Sequence, residues 1–154
     1  MTEKLVQFSI FLGKKPSVMA QLFRALARDR VNIVALTMMD TAEHAVLRLV
    51  AKDPQRARET LGTLNLPTDQ TDVLAVTMPN KPGAAADVCE RLSAGRVQIS
   101  YLYSTTGAPG GKAIGIFKVS NNKKAAEILS AKRSGHRDVR VKLRDRRRAA
   151  AGRR

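Results

Sequence analysis

The sequence predicts an α+β protein: two ferredoxin-like βαββαβ domains, pairing side by side into a larger antiparallel sheet with helices on one face. Three observations lead there. The chain repeats itself, with GKKPSVMAQLFRALARDRVNIVAL from Gly13 lying over PNKPGAAADVCERLSAGRVQISYL from Pro79 at an offset of 66. Apolar residues alternate between strand and helix spacing in the same order within each copy. And 154 residues, 44% of them hydrophobic, are enough to bury a core.

Each copy opens on an apolar run, Leu5–Leu12 or Val73–Met78, that reads as a strand. A Pro-containing loop follows, and Pro at the first helical position is tolerated because its missing N–H would have no partner there. Met19, Leu22, Phe23 and Leu26 recur at helical spacing, matched by Ala85, Val88, Cys89 and Leu92. Two strands come next, VNIVALTM and AVLRLVA in copy one, VQISYLYS and AIGIFKV in copy two. AVLRLVA lies over AIGIFKV at an offset of 68, after two extra residues in the second copy's loop. A short helix begins at Asp53-Pro54 or near Asn121-Asn122, where Asp and Asn serve as N-caps. A last strand closes each copy: the weak stretch Leu66–Gln70, and the clear alternation Val139–Leu143. This places a first domain at 4–71, a second at 72–143, and a basic tail at 144–154. The polar stretch NLPTDQTD between the copies is short, so the halves pack together.

Composition excludes several classes. Cys89 is the single cysteine, so no intrachain disulfide or Cys-rich metal site exists. The two His lie in unrelated contexts, and no Ser or Cys has a plausible base partner, so neither a metal, a cofactor nor an enzymatic reaction is expected. No segment approaches the ~20 apolar residues of a membrane helix, and the N-terminus lacks a basic region and cleavage site. The cytoplasm is the expected compartment.

The segments NKPGAAADVCERLSAGRVQISYLYS and GKAIGIFKVSNNKKAAEIL, with FLGKKPSVMAQLFRALARDRVNIVAL in the first copy, resemble the ACT domain, an amino-acid-sensing regulatory module. The likeness covers most of residues 4–130 and resembles the tandem class that carries no attached enzyme. The resemblance implies that the domains pair through their second strands. It also implies a small ligand, an amino acid, at that seam between one domain's first loop and its neighbour's second strand. The residues so assigned are Asn80, Lys81, Pro82, Gly83 and Ala84, with Asn32 and Ile33 facing them.

Such a site suits a zwitterion. A helix N-terminus offers unpaired N–H groups and a positive dipole end to a carboxylate. Gly83 allows close approach to the backbone, and Asn80 both donates and accepts. The copies are unequal, however. Lys14 stands at the Asn80 position, Ser17 at the Gly83 position and Gln98 at the Asn32 position. The second composite site, Lys14 and Ser17 with Gln98 and Ile99, is therefore expected to be degraded or differently selective.

Other features read more plainly. Cys89 falls on an apolar helix face and reads as core. Met38, Met39, Tyr101 and Tyr103 lie on second strands, as packing residues or as contacts to a ligand side chain. The loop Thr106–Ala113 fails as a phosphate loop, because Thr106 replaces the first Gly and Ala113 the magnesium-binding hydroxyl. A base-stacking sheet face is excluded by Phe117 being its only aromatic. Free sheet edges make a homo-oligomer, a dimer, the expected assembly.

The net charge of +15 is not spread evenly. Residues 1–130 carry 17 basic and 11 acidic side chains, and residues 131–154 carry 11 and 2. The excess is terminal, so the rival reading, weak binding of nucleic acid or an acidic partner, belongs to the tail.

Overall fold

The computed structural model describes residues 1–13, 16–41, 43–106 and 110–131. Along the chain run β1 (Thr2–Leu12), α1 (Pro16–Arg28), β2 (Ile33–Asp40), β3 (Ala45–Ala51), α2 (Pro54–Thr63), β4 (Thr68–Pro79), α3 (Ala84–Ala94), β5 (Ile99–Thr106), β6 (Lys112–Val119) and α4 (Asn122–Ser130). The strands form one antiparallel sheet in the order β2-β3-β1-β4-β6-β5.

Alternation decides which face each strand buries. Phe8, Ile10 and Leu12 of β1 join Leu47 and Leu49 of β3 beneath Leu22 and Leu26 of α1 and Leu61 of α2. In the second copy Leu74, Val76 and Met78 join Phe117 and Val119 beneath Val88 and Leu92 of α3 and Ala125 of α4. Because Phe8 pairs with Gln70 and Lys4 with Leu74, these two cores lie on the same face of the sheet. All four helices therefore cover one side, as expected. Cys89 packs against the second core.

Local signals repeat with the copies. Asp53 caps α2 by accepting from the Arg56 amide at 3.0 Å, and Asn121 caps α4 by accepting from the Lys124 amide at 2.9 Å. Two residues beyond the first helix of each copy stands an arginine in the left-handed region, Arg30 at φ 53° and Arg96 at φ 55°. The next amides, of Val31 and Val97, turn back to the carbonyls of Leu26 and Leu92 at 2.8 and 2.9 Å. The Arg-Val pair that marks the repeat is thus a helix stop.

Two expectations are corrected. The closing stretch of copy one and the opening strand of copy two are not separate strands: they merge into β4, so the proposed boundary at 71/72 falls inside a continuous strand. The polar stretch Thr68–Asp72 is strand because β1 supplies its hydrogen-bond partners over Val6–Ile10. Nor do the copies pair through their second strands. They join through β1 and β4, whose ladder is centred on Val6 opposite Asp72, two residues related by the repeat offset. The repeat is therefore a pseudo-twofold axis, and the first half of each long strand closes the other copy.

Val139–Leu143 lies outside the described residues, as does the tail. The place the repeat assigns to that strand, beside Leu74–Val76, is filled by Thr2–Lys4 on one side and β6 on the other. No described helix is long and apolar enough to cross a membrane.

The sheet curls away from its helices until β2 and β5, its two ends, touch without forming a ladder. The concave face so enclosed holds a third core of Ala35, Val50, Val73, Ala75 and Ile116. Gln7, fully buried there, donates to the Tyr101 hydroxyl at 2.8 Å and accepts from the Tyr103 hydroxyl at 2.9 Å. The Arg48 guanidinium stacks on the Tyr101 ring, 3.8 Å from its centroid. Burial first, and the neighbouring Tyr101 second, push the Tyr103 phenol well above its usual range. Of the two readings of Tyr101 and Tyr103, packing at the seam is the one their described contacts fit.

Candidate functional site

The segment Asn80–Ala84 forms a compact turn ahead of α3. The Ala84 amide donates to the Lys81 carbonyl at 3.3 Å, with Pro82 and Gly83 between them. Gly83 has φ 86° and ψ −15°, the left-handed third position of a type II turn, where a side chain is disfavoured. Asn80 is tied by its backbone to the neighbouring loop: its amide donates to the Gly111 carbonyl at 2.8 Å, and its own carbonyl accepts from the Gly110 amide at 3.3 Å.

This turn lines a cavity of about 580 Å³. Lys81, Pro82, Gly83 and Ala84 form one wall, and the exposed side of α3 continues it through Ala86, Asp87, Glu90 and Arg91. Met1 and Thr2 of the strand end, Val76–Pro79 of β4 and Leu129 of α4 complete it. The wall mixes both charge signs with apolar surface and the N-terminus of a helix. Arg91 is held in place by donating to the carbonyls of Ile128 at 2.5 Å and Ala131 at 2.9 Å.

Asn32 and Ile33 are not among the residues lining this cavity. The Asn32 carbonyl accepts from the Lys52 amide at 2.9 Å, and Ile33 opens β2, packed on the first core. Lys52 and Val34 instead line a separate cavity of about 260 Å³ on the concave face, which meets the first at Met1 and Thr77. The expectation that Asn32 and Ile33 face the Asn80 loop rested on pairing through second strands, and within one chain the β1–β4 join sets that geometry aside.

Of the residues assigned to the second site, Lys14 lies outside the described residues. Ser17 is exposed and already inside α1, whereas its counterpart Gly83 precedes α3. The Gln98 carbonyl accepts from the Ser120 amide at 2.9 Å and the Gln98 amide donates to the Ser120 hydroxyl at 3.1 Å, while Ile99 packs on the second core. None of Ser17, Gln98 and Ile99 lines the cavities of about 580, 260 and 210 Å³.

Sequence reasoning missed Ala86, Asp87, Glu90 and Arg91, although their spacing marks the face of α3 opposite Val88 and Leu92. Met1 and Thr2 carry no local signal, because a long-range strand pairing brings them. Among the described residues no group of His, Cys, Asp or Glu is placed to hold a metal ion.

A sequence profile of the family described as "ACT domain pair" matches residues 1–138. No curated protein matches the chain significantly. Among solved structures, a protein from Bacteroides thetaiotaomicron is similar at 33% identity, with a TM-score of 0.76 over 83% of this chain and 88% of that one. The regulatory subunit of aspartate kinase from Thermus thermophilus, in a ligand-free form, has the same fold at 14% identity, with a TM-score of 0.64 over 84% and 93%. Its Thermus flavus counterpart shows 16% identity and a TM-score of 0.55 over the same shares, 84% and 93%.

Proposed function

The chain belongs to the family of ACT domain pairs, and on that premise we propose that it is a regulatory module that binds a free amino acid in the cavity beside the Lys81–Ala84 turn. The observation that carries this reading is the cavity's chemistry. The first turn of α3 and the Lys81 ammonium offer donors to a carboxylate, and the Glu90 carboxylate offers an acceptor to an ammonium group. Met78 and Leu129 leave apolar wall for a side chain.

The module acts by binding, and the chemistry it regulates belongs to a partner. The fold's precedent is the Thermus protein described as the regulatory subunit of a kinase, most of whose length this chain spans. Ligand binding stabilises the bound arrangement by mass action, about 2.7 kcal/mol at a hundred times Kd. The working form is a cytoplasmic homo-oligomer. Leu36 and Met38 on β2 and Leu102 on β5 are exposed at the sheet's ends, and Met38 is 53% accessible.

The test is a thermal-melt series against the twenty amino acids. Selective stabilisation is expected, and Ala86→Phe, which fills the cavity from the solvent side of α3, abolishes it. A flat response across all twenty removes the reading.

A further inference from the structure

The smaller cavity on the concave face is chemically distinct from the one beside α3. Its floor is the apolar seam of the two copies: Leu5, Val34, Ala75 and Ile114. Its rim carries one acid and one base, Glu3 and Lys52, both exposed. Neither side chain has a hydrogen-bond or ion-pair partner among the described residues. At about 260 Å³ it lies below the ~300–1,000 Å³ of drug-sized pockets, so it suits a smaller molecule.

We propose that this cavity is a second binding site, for a zwitterion with a short aliphatic side chain. Lys52 takes the carboxylate, Glu3 takes the ammonium, and the apolar floor takes the hydrocarbon. A polar or charged side chain is rejected, because the floor would leave it without partners.

The repeat supplies an internal control. The twofold-related positions hold Asp69 and Thr71 for Glu3 and Leu5, and Ser100 and Ser120 for Val34 and Lys52. Ser9 and Val46 replace Ala75 and Ile114. The cation is gone, and three of the four floor residues have become hydroxyl-bearing. A cavity that merely filled space would not require one side alone to combine an apolar floor with a charge pair. The site is built once per chain.

The site goes beyond the function proposed above and shares only Met1 and Thr77 with the α3 cavity, so the test separates them. Calorimetric titration of the full chain with leucine, isoleucine and valine should show one site per chain. Lys52→Gln and Glu3→Gln, both at exposed positions, should each weaken it about tenfold, the worth of a hydrogen bond to a charged group. Ala86→Phe should leave it unchanged. 4-Methylpentanoate and isoamylamine, each leucine lacking one charged group, should bind about tenfold more weakly than leucine. Failure of all three aliphatic amino acids to bind overturns the proposal, as does binding that survives both charge substitutions. Binding abolished by Ala86→Phe alone assigns the ligand to the α3 cavity and equally overturns it.

Discussion

At the end of α1, Asp29 accepts a hydrogen bond from the Thr60 hydroxyl of α2 at 2.8 Å. At the equivalent place in the second copy stand Gly95 and Ile128, and a Cβ on Gly95 would collide with the Ile128 Cδ1. One helix pair is joined by a polar bond and the other by close apolar contact. The concave face shows the same inversion. Gln7, Arg48 and Tyr101 make the polar clasp described above, while their twofold partners Val73, Ile116 and Ala35 are core. Backbone features stay paired: the arginine helix stops, the side-chain caps, and the β2 and β5 bulges at Ile33/Ala35 and Ile99/Tyr101. The repeat constrains what the backbone needs and leaves side chains near the axis free to diverge, which is how one chain comes to hold unlike cavities.

Giving Gln7 the apolar chemistry of its twofold partner tests this inversion most severely. Gln7→Leu leaves two tyrosine hydroxyls without their buried partner and should cost about 2–4 kcal/mol, read from urea denaturation. Adding Tyr101→Phe and Tyr103→Phe should restore more than half of the loss, since removing both sides of a buried hydrogen bond is far milder than removing one. A silent Gln7→Leu would mean the clasp contributes nothing, and the polar–apolar contrast across the axis would carry no energetic meaning.

Gln7 also shows what the sequence conceals. It reads as an interruption in an apolar run, and nothing local tells that it points to a buried face where Tyr101 and Tyr103 meet it. Element order, caps and the shared helix face were legible because they depend on residues close in sequence. The merging of Thr68–Asp72 with Val73–Met78 was not, because a polar stretch becomes strand only when a distant strand, here Val6–Ile10, pairs with it. The turn at Lys81–Ala84 was legible from Pro82-Gly83, and four of the five loop residues assigned to the site do line its cavity. Their expected companions, Asn32 and Ile33, were placed by a pairing of second strands that the two copies within one chain do not make.

A smaller effect should come from the helix junction of the second copy. Gly95→Ala forces the Ile128 end to move and should cost about 1–2 kcal/mol, less than a rigid clash because the obstructing atom ends a flexible side chain. Pairing it with Ile128→Val should return part of that cost, so the double variant is more stable than the sum of the singles predicts. Strict additivity would show that the two residues do not meet as closely as their helices imply.

The polar junction should respond to pH, and the apolar one should not. Hydrogen bonds from Arg28 first, and from Thr60 second, lower the Asp29 carboxyl from its ordinary 3.8 to about 2. The ionised form therefore favours the folded state. Its contribution is complete above about pH 4 and disappears as pH falls towards 2. Asn at this position still accepts from Thr60 but loses the charge. The stability gap between the protein and Asp29→Asn should be steady from neutral pH down to about pH 4, then close towards pH 2, and it should be smaller than the Gly95→Ala effect because Asp29 is partly exposed to solvent. Gly95→Ala, measured over the same range, should keep a constant gap, because neither Gly95 nor Ile128 titrates. Parallel gaps for both variants would show that Asp29 joins its helices by shape alone, and that the two copies differ at this junction in composition but not in the kind of force that holds them.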